Sequence, residues 1–490
     1  MSMSINTNVA SLNAQRNLSG SQSALSTSLQ RLSSGARINS AKDDAAGLAI
    51  SERMSSQING LDQARRNAND GISLAQTAEG GITSASDMLQ RMRTLAVQSA
   101  NDTNSASDRK AIQSEVNQLK EELNRLVDTT QFNGKNILDG TLSNAQFQVG
   151  ANANQTINVS IGSVRGTAIG SYQVAMGGTA TGKAIQGTAA GTVPANGVTG
   201  DTLSISGNGA TKAVAVTAGD SAKTIAANIN KETGSTGVTA TAESKATLSA
   251  IKDGTVTFKL AGDNSTAVAI SASVAGSDYK ALAEAINSQT STTGISATLD
   301  KSGNVELTNK TGADIKIAGF DTTNATKTMT VTGADTAATA VTVTGGAATD
   351  SATIAGTIKL DSNSGFNVTG DASKGVVSAA SLNGGLQSVD KIDISTTTGA
   401  NDALKVIDAA LSTVNARRAD LGAVQNRFSN TISNLQSSAE NLNASRGRIL
   451  DTDFAAETAR MSRNQVLQQA GTAMLAQANQ LPQQVLQLLR

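Results

Sequence analysis

The chain has 490 residues with 39 basic and 39 acidic side chains, so its formal net charge is zero. That balance supplies no basic face for a nucleic acid and no pull toward an anionic membrane. It contains neither Cys nor His, which removes disulfides, thiol chemistry, the commonest general base and the commonest metal ligand.

The first ten residues, Met1 to Ala10, carry no basic segment followed by an apolar run, so they do not read as a cleaved secretory signal. No stretch reaches the ~20 apolar residues of a membrane span. A first helix is predicted over about 5–34, with Ile5, Val9, Leu12, Leu25, Leu29 and Leu32 along it and a break at Ser34-Gly35. A second is predicted over about 41–100, opened by Ser40 and Asp43 as a capping box. Its stripe is Ile58, Leu61, Ala68, Ile72, Ala75, Ile82, Leu89 and Met92. A third, over about 105–128, opens with Ser105 and Asp108, carries Ile112, Val116, Leu119, Leu123 and Leu126, and offers Glu121 and Arg125 as an i,i+4 pair. Turn signals follow at Asn133-Gly134 and Asp139-Gly140, then alternating strands around Phe147 and from Ile157 to Ile161.

Composition then changes. Every Arg lies at or before Arg165 or at or after Arg417, while 29 of the 45 Gly fall between Gly177 and Ala400. The middle thus reads as a separate body inserted between helical flanks. A disordered Gly/Thr-rich linker is the competing reading, and an internal repeat argues against it. Gly219 and Gly276, Ile229 and Ile286, Asn230 and Asn287, Gly237 and Gly294, and Val238 and Ile295 are each 57 residues apart. Each copy predicts strands around a short amphipathic helix, and Thr/Val-rich stretches from Met329 and Ala340 predict further hairpins.

The C-terminal flank holds the longest pattern. Leu404, Ile407, Leu411, Val414, Arg418, Leu421, Gln425, Phe428, Ile432, Leu435, Ala439, Leu442, Arg446 and Ile449 form a strict heptad. Such a stripe makes a helix of roughly 70 Å that packs along other helices. A last stripe runs through Leu467, Ala470, Met474, Leu481, Val485 and Leu488. The fold class is therefore mainly α with a β insertion: a long antiparallel coiled-coil rod from both chain ends, with outer α+β or all-β domains in the middle. Both extreme ends are amphipathic, and neither has a partner except the other end or another copy.

Motifs for chemistry are absent. Asp220 to Thr224 lacks the Gly-Lys-Ser/Thr of a phosphate loop. Asp43-Asp44, Asp451 and Asp453 read as helix-start or turn acids and not as a spaced calcium loop. Arg65-Arg66 and Arg417-Arg418 read as surface charges. No catalytic residue, cofactor or metal is assigned, and the chain is read as a non-enzyme.

The segments Leu29–Leu48, Asn67–Gly80, Leu89–Asn101, Asp451–Thr458 and Ala478–Arg490 closely resemble bacterial flagellin, over about residues 1–176 and 401–490. The resemblance implies a filament subunit, exported unfolded through the flagellar secretion channel and polymerised into a secreted, extracellular homopolymer. It implies terminal helices lining an inner tube (1–40 and 452–490), a long-helix domain (41–176 and 401–451), and a variable outer region (177–400). That region would hold two repeated modules at about 200–252 and 253–312, then hairpins at about 313–400. Ile5, Val9, Leu12, Leu25, Leu29, Leu32, Met474, Leu481, Val485 and Leu488 would pack subunits, with the ends disordered before assembly. Implied partners are an export chaperone, the filament cap and a host Toll-like receptor, which would contact Leu89, Gln90, Arg91, Leu95, Gln98 and Glu115. No nucleic acid or membrane insertion is expected. The alternative is a hook–filament junction protein.

Overall fold

The computed structural model describes residues 7–334 and 340–488, with side chains described as far as Gln480. It divides into two compact units. One gathers residues up to Ala78, Leu142–Ser160 and the chain from Asp420; the other holds Glu79–Thr141 and Ile161–Ala419.

Helix α1 spans Val9–Ser34, where the Asn8 side chain accepts from the Ser11 N–H at 3.0 Å and Gly35 closes the last turn. Helix α2 spans Ala45–Ser99. It starts later than 41 because a different residue caps it: Asp44 Oδ1 accepts from the Gly47 N–H at 2.8 Å. Asp43 instead turns back to the N–H groups of Asn39 and Ser40, at 3.1 and 2.9 Å. Those bonds, Asn39 first, hold its carboxyl below the usual range. Helix α3 spans Ala106–Thr129, and Ser105 and Asp108 form the expected reciprocal capping box. Arg125 forks onto both carboxylate oxygens of Glu122, at i,i+3, and not onto Glu121.

In the second unit the inserted region opens and closes at one place. The outgoing strand Gly170–Ala175 runs antiparallel to the returning strand Gly385–Ser388, with Gly170 opposite Ser388 and Tyr172 opposite Leu386. Its other edge pairs with Thr357–Ser362. The outgoing strand thus shares a sheet with strands from within the inserted stretch.

The 57-residue repeat has a physical cause. The first copy is a hairpin of Asp201–Gly207 and Ala210–Val216, then α4 (Ala222–Lys231), the single turn α5 (Thr233–Thr236) and the strand Val238–Ser249. The second is a hairpin of Gly254–Ala261 and Val268–Val274, then α6 (Lys280–Asn287), α7 (Thr290–Thr293) and the strand Ile295–Leu299. Asn230 exchanges two hydrogen bonds with the backbone of Ala240, at 2.9 and 2.7 Å. Asn287 does the same with Ala297, at 2.8 Å in both directions. Each Asn therefore satisfies backbone groups of the strand that follows its helix. Thr233 and Thr290 donate to the carbonyls of Val238 and Ile295, each at 2.8 Å. Gly237 and Gly294 make the turn between them at φ 67° and 70°, where a Cβ would be strained. Ile225 and Ile229 on α4, and Leu282 and Ile286 on α6, are fully buried. Each such side chain contributes about 1.5–3 kcal/mol.

The two hairpins enter different sheets, of four and five strands, whereas the strands after the helices join one larger sheet. Val238–Ser249 serves both cores: Val238 and Ala240 face the first, Ala246 and Leu248 the second. Lys223 on α4 also reaches Asp263 in the second copy at 2.7 Å. Burial pushes the Asp263 carboxyl up, but hydrogen bonds from Lys223, Thr311 and Asn309 outweigh it and leave it lowered. The Thr/Val-rich stretches form a hairpin, Thr328–Gly333 against Val341–Thr344, with Met329 opposite Val343.

Helix α8 spans Thr397–Leu450 and α9 spans Phe454–Leu488. None of the fourteen heptad positions of α8 is exposed. In the first unit α8 runs antiparallel to α2: Arg446 donates to Ser55 at 3.3 Å, and the Phe428 ring lies against Gly71. A Cβ on Gly71 would come within 2.5 Å of that ring, which also meets Phe147 edge-on with centroids 5.5 Å apart. In the second unit Arg93 pairs with Asp408 at 2.6 Å, and Leu89, Met92, Leu123, Ile137 and Leu138 are fully buried.

The buried carboxyl of Asp314 is poorly served. Asp314 is 6% exposed; Asn196 donates to its Oδ2 at 3.0 Å, and its Oδ1 has no partner. Burial pushes its pKa up to about 6, against the Asn196 hydrogen bond and the charge of Lys316. The folded chain then holds this proton more tightly than the unfolded chain, so the cost of the charge is absent below pH 4 and grows as pH rises through about 6. Asp314→Asn should therefore raise stability at pH 8 by on the order of 1–3 kcal/mol and change it little at pH 4. Denaturant unfolding at the two pH values measures this.

Candidate functional site

Two surfaces stand out. In the first unit, α1 and α9 lie antiparallel: Asn8 donates to the Ala478 carbonyl and Ser11 to the Asn479 side chain, both at 2.8 Å, while Leu18 lies against Gly471. At the far end Ala36 and Asp451 form an isolated β-bridge, with the Arg37 N–H on the Leu450 carbonyl at 2.6 Å and its guanidinium on the Ile449 carbonyl at 2.7 Å. This clasp holds the two chain ends in register.

Among its described side chains the pair has almost no apolar core of its own. Among the described side chains, α1 buries only Ser11 and Ser28, and α9 only Glu457 and Ala478. Val9 is 59% exposed and Met474 64%, and Leu12 and Leu29 are also exposed. Leu25 and Leu32 are half-buried. Phe454, Val466 and Leu467 add exposed apolar surface that the expected packing residues did not include. A groove of about 500 Å³ runs between the helices, bordered by Ala14, Leu467 and Met474. Ile5 lies outside the described residues, and so do the side chains of Leu481, Val485 and Leu488.

The second surface, in the second unit, is the solvent face of α2 against α3. Leu89 and Leu95 are not on it: they are 0% and 2% exposed, because they continue the stripe that packs inward. Gln90, Arg91 and Gln98 are exposed. Arg91 reaches Glu115 on α3 through Nε at 2.9 Å and Nη2 at 2.7 Å, a pair open to solvent on both sides. Among the described residues, no helix is long and apolar enough to cross a membrane.

These features sit in segments that known proteins share. The family model for the bacterial flagellin N-terminal helical region matches residues 5–143, and that for the C-terminal helical region matches 404–489. The flagellin hook IN motif matches 202–252 and 255–311, the two copies of the repeat. The B-type flagellin of Pseudomonas aeruginosa is 46% identical over 502 aligned residues that span the whole of both chains. The chain belongs to the bacterial flagellins. Flagellin D of Vibrio anguillarum is 37% identical, again over the whole of both chains. Among solved structures, FliC from Burkholderia pseudomallei is 27% identical and covers 73% of this chain and 99% of its own, with a TM-score of 0.30. This flagellin is a structural subunit of the extracellular flagellar filament, a polymer of copies of itself. The hook–filament junction alternative has less support, since the full-length likenesses are to flagellins.

The burial contrast on α2 yields a measurable difference. Leu95→Ala should cost about 2–5 kcal/mol by leaving a cavity. Arg91→Ala, which removes only a solvent-exposed ion pair, should cost less than about 1 kcal/mol. Thermal unfolding of the two variants checks both values.

Proposed function

We propose that the α1–α9 pair is the assembling part of this subunit and that the inserted sheets are dispensable for the polymer. The observation that supports it is the poverty of the pair's own core: exposed Val9, Leu12, Leu29, Val466, Leu467 and Met474 beside a buried set of Ser, Ala and Glu. Ordering a residue costs about 1–2 kcal/mol of backbone entropy, and this pair has little burial to offset it. Neighbouring copies supply the missing apolar surface, so the ends order on assembly and line the inner tube. Loose ends also suit export in an unfolded state, and exposed Leu467 and Met474 of the C-terminal stripe suit an export chaperone. Growth beneath a filament cap completes this reading.

On the solvent face of α2 and α3, Gln90, Arg91, Gln98 and Glu115 form the surface offered to a host Toll-like receptor. Leu89 and Leu95 hold the helix in place beneath it.

Two deletions test the assembly reading. The inserted region is best cut where its sheet closes, so residues 170–388 are replaced by a short Gly/Ser linker, leaving the Val389 N–H on the Ile169 carbonyl at 3.0 Å. In electron micrographs this chain should form filaments, thinner than those of the full chain. A chain lacking residues 7–34 should stay folded and monomeric. Filaments from the second chain, or none from the first, would overturn the proposal.

A further inference from the structure

The strand Thr357–Ser362 sends successive side chains to its two faces. Ile358 and Leu360 are buried in the first repeat's core, while Lys359 and Asp361 turn the other way, to α8. There the charges cross: Lys359 pairs with Asp402 at 3.1 Å and Asp361 with Lys405 at 3.4 Å, and Lys405 also donates to Thr241 at 3.1 Å. The strand partners of Lys359 and Asp361 are Ala175, Gln173, Thr241 and Thr239, so this face of the sheet offers small or polar side chains to the helix. Clefts of about 370 and 270 Å³ open beside the contact, and Lys359 and Asp402 border both. Gln173 Nε2 and Asp361 Oδ1 are buried without a partner, as in a contact that has not closed to full packing.

A sheet seated on apolar residues would be fixed, because packed cores have few alternative arrangements. We propose that this seat is a salt-sensitive swivel, on which the inserted sheets tilt against α8 about the closed strand pair at Gly170 and Ser388. The crossed ion pairs set the resting angle and the clefts leave room to move. Lys359, Asp402 and Lys405 are partly exposed and only Asp361 is buried, so salt reaches both pairs and weakens Lys359–Asp402 the more.

The chain has no Cys, so Ala213→Cys and Ala416→Cys, both at exposed positions, take spin labels at two sites only. Pulsed electron–electron distance measurements on the full-length monomer then report the spread of angles. Between about 20 mM and 1 M NaCl, where the Debye length falls to ~3 Å, the width of the distance distribution should roughly double. Lys359→Asp should broaden it similarly at low salt, and adding Asp402→Lys should restore the narrow distribution. A width unchanged by salt in the otherwise native chain would overturn the proposal, even if Lys359→Asp failed to fold. So would broadening that the charge swap does not rescue.

Discussion

The constraint on which this structure depends is that helices from opposite ends of the chain must pair with one another. Gly71 admits the Phe428 ring, Arg446 reaches Ser55, and Ala36 bridges to Asp451. Each contact joins residues more than three hundred positions apart, so a long stretch of chain between them has to leave and return. The paired strands at Gly170 and Ser388 meet that condition. Because their hydrogen bonds close on themselves, what lies between can be long and repeated without disturbing the helices.

Two kinds of helix follow. In the second unit Leu89 and Met92 of α2 and Leu123 of α3 are excluded from water, and in the first unit so is Phe428 of α8. Between α1 and α9 the contact is made by Asn8, Ser11, Leu18 and small residues, while Val9, Leu12, Leu29, Val466, Leu467 and Met474 are exposed. The first arrangement suits a body that is stable alone, and the second suits one completed by neighbours. On the proposed assembly through the ends that difference is functional, since ends already satisfied within the monomer would have no reason to add to a growing polymer.

Much of this was legible in the sequence, for reasons that can be named. Heptad spacing is local, so the helix now seen at Thr397–Leu450 could be read from Leu404 to Ile449. The repeat was legible because Asn230 and Asn287 each satisfy the backbone of a nearby strand and leave few substitutes. Choices between neighbours were harder to read. Asp44 and not Ser40 caps α2, and Glu122 and not Glu121 takes Arg125, since propensity does not separate adjacent acids. The inward direction of Leu89 was in the stripe itself, whereas Leu95 lies beyond the stripe's last position, Met92, and its burial was not. The sheet partners of Gly170–Ala175, the Arg37 clasp and the crossed pairs on α8 join distant residues that no local pattern connects.

The central claim is that the ends are unfinished until neighbours complete them. Amide hydrogen exchange, compared residue by residue between dilute monomer and filament, tests it most directly. The account predicts fast exchange along α1 and α9 in the monomer and strong protection in the filament, with the buried parts of α2 and α8 slow in both. Equal protection of α1 and α9 in monomer and filament would contradict it.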